Sequence, residues 1–364
     1  MSVIPSALTP LGLPGFTFAD LHEPARLADL HQRFVADLQA AEPGLWERWS
    51  TPREGAVVGA VDHSNLLVAM APHVSRFVAR LFAVGPDAEA LVAATRAYDD
   101  LFRFKIDFVR RRALPLLKGG APVQASAADH AYVAAIVAGT AEPGAQELAI
   151  ARAGCALLDR EEAAKLADHE AAKAGVAAEI DALRRWCAAH VHAPAFKDWV
   201  VFRFPETLDY QHLVHITRPN PVLPNALTGP DARLRRRDGF TLTDPRFSTR
   251  EVLSEVHYCV LCHERDKDSC SKGITDKQGA IVANPLGIAL GGCPLEEKIS
   301  EMHLLRKRGD AIGALALVMI DNPMCPGTGH RICNDCMKAC IFQKQEPVNI
   351  PQAETGVLTD VLNL

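Results

Sequence analysis

The sequence lacks several features that define common protein classes. No apolar run approaches the roughly 18 residues that a membrane-spanning helix needs, and the N-terminal "MSVIPSALTPLGLPGF" has no basic start and no apolar core of a secretory signal. The net charge of −5 offers no cationic excess for nucleic acid or for anionic lipid. Neither G-x-G-x-x-G nor G-x4-G-K-[ST] occurs, so no obvious nucleotide cradle is present. We therefore expect a cytoplasmic protein without a membrane span, whose thiols stay reduced or bind metal.

Cysteine is scarce in the first two thirds of the chain and concentrated in the last third. Cys155 and Cys187 are the only cysteines before residue 259. The other eight are Cys259, Cys262, Cys270, Cys293, Cys325, Cys333, Cys336 and Cys340. This uneven placement indicates that the C-terminal third is a separate chemical unit.

The hydrophobic pattern predicts a mainly α protein. Residues 17–193 carry apolar residues at helical spacing, with Pro and Gly between the segments. "KDWVVFRFP" and "DYQHLVHITRP" are rich in β-branched and aromatic residues, and they predict a short β-hairpin near residues 200–217. We expect a mostly helical domain of unknown role over residues 1–218, a Pro/Gly-rich linker over 219–244, and a helical cysteine-rich domain over 245–364.

Three kinds of chemistry compete for the eight cysteines. Disulfides fit poorly, because cytoplasmic C-x2-C pairs rarely form structural bridges. Zinc could use the knuckles Cys259/Cys262 and Cys333/Cys336, but about seventy residues separate them and four cysteines would stay unexplained. Two [4Fe–4S] clusters account for the most residues, since each cube needs four ligands, usually thiolates.

The ordered set of motifs resembles a known family. It runs "CVLC", a third cysteine, "GCP", "RGDAIGAL", "DNP", "GHRICNDCMKAC" and "PVNI". Residues 245–364 resemble the N-terminal double-cluster domain of the small subunit of glutamate synthase and of dihydropyrimidine dehydrogenase. The resemblance implies an α-helical ferredoxin-like fold that holds two [4Fe–4S] clusters. Residues 1–240 resemble no family that we recognise.

The resemblance also implies a ligand set. Its first cluster would be held by Cys259, Cys262, Cys270 and Cys340. Its second cluster would be held by Cys293, Cys333 and Cys336, with a fourth ligand at the position of Glu354, next to Gln352. Cys325 is the alternative fourth ligand of the second cluster.

Two departures from the family pattern stand out. Twenty-two residues, 271–292, separate Cys270 from Cys293, where the family has a short spacing. This insertion could form a lid over the first cluster or a partner contact. The family also continues into a module that binds FAD and NAD(P)H, and this chain stops at "TGVLTDVLNL". We expect that module on an adjacent part of a longer protein or on a partner flavoprotein, with which the chain would form a hetero-oligomer.

The leading functional expectation is single-electron transfer within an NAD(P)H-dependent oxidoreductase. No residue of this chain resembles a catalytic acid, base or nucleophile. A second hypothesis is that the clusters, or zinc, are structural and that the chain is a scaffold or interaction subunit.

Overall fold

The secondary structure is mainly helical, which confirms the predicted fold class. The structure is a computed structural model, and it describes residues 9–50, 59–120, 122–167, 170–214, 216–230, 239–240, 246–265, 267–328 and 333–364. The helices of the N-terminal half are α1 (Pro24–Ala41), α2 (Pro43–Ser50), α3 (Ala60–Leu81), α4 (Gly85–Arg96), α5 (Asp99–Arg103), α6 (Ala127–Ile136), α7 (Pro143–Leu166) and α8 (Glu170–His190). Those of the C-terminal part are α9 (Thr249–Tyr258), α10 (Ser269–Lys272), α11 (Ile299–Arg308), α12 (Ala311–Asp321), α13 (Cys325–Thr328), α14 (Asp335–Lys338) and α15 (Ile350–Leu362).

The chain divides into two compact units. The first unit joins residues 1–89 to residues 205–364, and the second comprises residues 90–204. The first unit is thus discontinuous in sequence, and the N-terminal helices share it with the cysteine-rich segment. The domain bounds expected at 218 and 245 stay a prediction. Part of the expected linker, residues 231–238 and 241–244, lies outside the described residues.

Helix α3 contributes to two cores of the first unit because its apolar residues fall on two faces. Leu66 and Met70 are four residues apart and pack with Leu38 and Leu45 of α1 and α2. Leu67 and Ala71 pack instead with buried residues of the C-terminal part, which are Met302, Leu305, Ala314, Leu315, Leu317, Val318, Cys325, Val357 and Leu358. The cysteine-rich segment therefore does not form its core alone.

The helix boundaries in the C-terminal part follow from local signals. Ser248 caps α9, and Ser248 and Glu251 form a reciprocal capping box. Helix α11 ends at Gly309, whose φ of 88° is left-handed. Asp310 then caps α12, because its side chain accepts a hydrogen bond from the Gly313 N–H at 2.8 Å.

The second unit packs its helices around aromatic residues. A π-helical segment, Phe104–Ala113, follows α5. Phe104 and Phe108 stack with ring centroids 5.0 Å apart, and both are fully buried. Cys155 and Cys187 are buried in α7 and α8, and burial raises the pKa of both thiols. They behave as small apolar residues of this core.

The hairpin expected near residues 200–217 does not form among the described residues of that range. Residues 200–202 form turns, and pairing is limited to the single bridges Thr207–Gln345 and Thr217–Thr228. Trp199 and Phe202 are buried and stack with ring centroids 5.7 Å apart. Their aromatic character serves core packing here, which is why the strand signal was misleading.

Candidate metal centre

Four cysteines from separate segments line one recess in the first unit. They are Cys259, Cys262, Cys270 and Cys340, the residues that the family resemblance assigns to the first cluster. Cys259 follows α9, Cys262 begins a 3-10 turn, Cys270 lies in α10 and Cys340 follows α14. The recess is partly open to solvent, and its enclosed volume is only about 10 Å³. Its other walls are largely apolar.

The loop between Cys259 and Cys262 is tightly curled. Leu261 has a φ of 52°, in the left-handed region that residues other than glycine rarely adopt. This conformation turns the Leu261 N–H back so that it donates a hydrogen bond to Cys259 Sγ at 3.4 Å. Strained backbone of this kind is concentrated at functional sites, where the surrounding structure enforces it.

Backbone N–H groups also reach the sulfur of Cys340. Burial raises the pKa of the Cys340 thiol, whereas hydrogen bonds from the N–H groups of Phe342 and Val348 act in the opposite direction. Such donors stabilise a thiolate over a thiol. The same donors would tune a metal cluster bound through that sulfur.

The Cys270 thiol is in contact with a carboxyl group. Its thiol donates a hydrogen bond to Asp268 Oδ1 at 3.3 Å. Burial and then the charge of Asp268 raise the pKa of this thiol. Burial also raises the pKa of Asp268 to about 6. A cation in the recess would favour the ionised forms of Cys270 and Asp268 and would therefore lower both pKa values.

A second group of cysteines lies around α14. Cys336 is buried, Cys293 is partly buried and Cys333 is exposed. Burial raises the pKa of Cys336, and the charges of Cys293, Cys333 and Glu354 add to the shift. Cys293, Cys333 and Glu354 therefore each lie within electrostatic range of Cys336. They are the three thiols and the carboxylate that the resemblance assigns to the second cluster.

The two candidates for the fourth ligand of this second group touch each other. Cys325 Sγ donates a hydrogen bond to Glu354 Oε1 at 3.4 Å, and both residues are buried. Burial, reinforced by Glu297, raises the pKa of Glu354 to about 8. The neighbouring Gln352 is occupied elsewhere, because its Oε1 accepts a hydrogen bond from the Phe247 N–H at 3.2 Å.

The 271–292 insertion is closed at its base, which keeps the two flanking cysteines adjacent. The Cys293 N–H donates to the Cys270 carbonyl oxygen at 2.9 Å. Within the insertion, the bridges Thr275–Ile281 and Ala283–Ala289 fold the chain back on itself. The insertion thus leaves and re-enters the fold at one point, and it does not separate Cys270 from the other ligands of the first recess.

Two glycines allow this closure. Gly273 and Gly292 have φ angles of 88° and 77°. A Cβ at Gly292 would lie 2.5 Å from the Gly273 nitrogen and 2.6 Å from the Ser271 carbonyl oxygen. No side chain fits at that position without moving backbone.

Four thiols are the chemically distinctive groups of the first recess. A [4Fe–4S] cube takes one ligand, usually a thiolate, at each of its four corners. The donor types that line the recess therefore fit that group. Among the described residues, no group of three or more His, Cys, Asp or Glu side chains is arranged to hold a metal ion.

Sequence reasoning did not identify His303, which also lines the recess. It lies on the face of α11 that carries Ile299 and Arg306, and all three are buried. The spacing of Ile299 and His303, four residues apart on one helical face, is the signal that could have revealed it.

No helix among the described residues is both long and apolar enough to cross a membrane.

Comparisons with known proteins give similarity but no function. Residues 11–83, which include α1 to α3, match the family described as the RP005 N-terminal alpha-helical domain. Uncharacterized protein RP005 of Rickettsia prowazekii (strain Madrid E) is 26% identical over 267 residues, which is 67% of this chain and 81% of that protein. Uncharacterized protein RP006 of the same organism is 63% identical over 41 residues, which is 11% of this chain but only 6% of that protein. No solved structure matches the chain significantly.

Proposed function

We propose that residues 245–364 bind two [4Fe–4S] clusters and carry single electrons within an NAD(P)H-dependent oxidoreductase. The observation that carries the proposal is the convergence of Cys259, Cys262, Cys270 and Cys340 on one recess. These residues come from three segments of the chain, the 259–262 loop and the segments around Cys270 and Cys340, spread over about eighty positions. Their convergence is unexpected for unrelated structural cysteines, and they are the set assigned from the family resemblance.

The protein groups around the two sites suit this role. Three of the four thiols in the first recess are buried, which limits the access of water and oxygen. Backbone N–H groups directed at Cys259 and Cys340 stabilise negative charge on sulfur. When bound, the clusters would supply reversible one-electron chemistry.

The electron donor in this proposal is a flavoprotein module or subunit that takes hydride from NAD(P)H. The family resemblance supports it. The reducing cytoplasm is the compartment that keeps these thiols available for metal.

A structural role for the clusters is the second candidate. Cys270, Cys336 and Cys340 belong to one buried core with Ile299, Val348 and Ile350. Metal bound there would join α10, α14 and α11 and stabilise the first unit, as structural zinc does in small domains. In this case the chain would act as a scaffold.

Dithionite titration of anaerobically reconstituted full-length chain separates the two roles. Electron transfer predicts loss of absorbance near 400 nm and a cluster-type paramagnetic signal at a potential that NAD(P)H-linked flavins reach. Clusters that stabilise the fold but are not reduced at such potentials would favour the scaffold.

Single cysteine variants then test the two sites. Cys262→Ser and Cys336→Ser should each remove about half of the iron, because each affects one cube. Cys187→Ser, which lies in the second unit, is the matched control and should keep all of it. Equal iron in all three variants would refute the assignment.

A further inference from the structure

The recess contains one polar ring that lacks a partner. His303 is 1% exposed, and neither Nδ1 nor Nε2 has a hydrogen-bond partner among the described residues. The same side chain lines the recess formed by Cys259, Cys262, Cys270 and Cys340. Buried polar groups are normally paired, so an unpaired ring facing a cavity indicates that the cavity holds its partner.

The neighbouring histidine provides a contrast. His263 is also buried, but its ring Nδ1 lies 2.5 Å from Ser300 Oγ. Its backbone N–H also donates a hydrogen bond to that oxygen, at 3.2 Å. His263 is thus held by the protein, whereas His303 is not. Burial also lowers the pKa of His303 to about 4. In either protonation state the imidazole carries at least one N–H donor.

We propose that His303 donates a hydrogen bond to a sulfur of the cluster in this recess and raises its reduction potential. The inference rests on the proposed function and adds a residue that sets the potential of one site. The four thiols already supply a ligand for each corner of a cube, so no corner is left for the imidazole to bind. A donor to sulfur stabilises the reduced cluster, which is the more negative form.

The same inference distinguishes the two sites. The groups near the second set of cysteines are carboxylates, Glu354 and Glu297. A carboxyl group also lies in the first recess, where Asp268 accepts a hydrogen bond from Cys270, so the unpaired imidazole of His303 is the feature that distinguishes the first recess. We therefore expect the potential of the first cluster, and not that of the second, to depend on residue 303.

The test compares His303→Leu with His303→Gln in anaerobically reconstituted full-length chain. Redox titration followed by paramagnetic resonance should show two midpoint potentials in the wild type. In His303→Leu one of the two should shift to more negative values and the other should stay unchanged. His303→Gln restores an N–H donor and should recover part of the shift. His130→Leu, an exposed histidine of the second unit, should leave both potentials unchanged.

A spectroscopic measurement guards against variants that fail to fold. In the wild type labelled with ¹⁵N-histidine, pulsed resonance of the reduced protein should show weak coupling to one imidazole nitrogen and to one exchangeable proton. Unchanged potentials in an iron-replete His303→Leu variant, or no such coupling in the wild type, would overturn the inference and leave the proposed function standing. Strong coupling would make His303 a ligand and would also overturn it. A wild type without iron would overturn the proposed function itself.

Discussion

Ser64 Oγ donates a hydrogen bond to Glu301 Oε1 at 2.5 Å, although 237 positions separate the two residues in sequence. Both side chains are buried, and the bond joins α3 to α11. Helix α11 carries His303 and Ile299, which line the candidate metal recess. The N-terminal helices therefore help to position a wall of this recess, and they are not an independent appendage of the cysteine-rich segment.

Ser64→Ala should destabilise the first unit. The change leaves a buried Glu301 oxygen without its donor, and such losses cost roughly 1–3 kcal/mol. Urea unfolding followed by circular dichroism would measure the difference. Ser50→Ala, at the exposed end of α2, should change the free energy of unfolding by less than about 0.5 kcal/mol. Equal stability of the Ser64→Ala variant and the wild type would contradict the role given to this bond.

Gly292→Ala should disrupt the base of the 271–292 insertion. The new Cβ would contact backbone of Gly273 and Ser271, and φ at this position is 77°. The left-handed conformation and the clash together should cost roughly 2–4 kcal/mol and lower iron retention at both sites.

Two neighbouring glycines are matched controls for this change. Gly287 also has a φ of 77° but no atom near its Cβ position, so Gly287→Ala carries only the conformational cost. Gly291→Ala meets nothing within 4 Å and should be close to neutral. If Gly292→Ala behaved like Gly291→Ala, the closed base of the insertion would not be needed to juxtapose Cys270 and Cys293.

Glu354 should be the fourth ligand of the second cluster, in preference to Cys325. The Glu354 charge contributes to the raised pKa of Cys336, so this carboxyl group lies within electrostatic range of a proposed ligand. Cys325 is fully buried in the apolar core that contains Leu67 and Met302. Glu354→Gln should therefore lose or alter one cluster signal, and Cys325→Ser should retain about eight irons. The reverse result would assign Cys325 as the ligand.

The metal-free chain should lose stability as the pH rises from about 4.5 to about 8, because Glu354 releases its proton at a higher pH in the folded chain than in the unfolded chain. Its folded pKa is raised to about 8, against an ordinary value of 4.5. Between these values the unfolded chain has released the proton and the folded chain retains it. The free energy of unfolding should thus fall by up to about 1.4 kcal/mol per pH unit in this window. Below pH 4.5 both states are protonated, and the effect disappears.

Glu354→Gln removes this titration and isolates its contribution. Urea unfolding of both metal-free proteins at several pH values gives the comparison. If the free energies of unfolding of the wild type and of Glu354→Gln differed by the same amount from pH 5 to pH 8, the raised pKa of Glu354 would be contradicted.

Much of the architecture could be predicted from local signals. The mainly helical class, the cap at Ser248 and the break at Gly309 follow from periodicity, capping residues and glycine, all of which act over a few positions. The grouping of Cys259, Cys262, Cys270 and Cys340 was accessible only through the family resemblance. Spacing alone does not place three segments around one recess.

Other features depend on long-range packing and could not be read from the sequence. The hairpin signal at Trp199 and Phe202 came from residues that the core of the second unit uses for burial. The pairing of Ser64 with Glu301 joins helices from opposite ends of the chain. The role proposed for His303 depends on its position beside the four thiols of the recess, and the sequence around a single histidine in a helix does not show that position.

The most direct test of the central claim is the iron and acid-labile sulfide content of the full-length chain purified without oxygen. Two [4Fe–4S] clusters predict about eight iron and eight sulfide per chain, in a brown protein. A colourless preparation with less than about one of each per chain, despite anaerobic handling and reconstitution, would contradict the account.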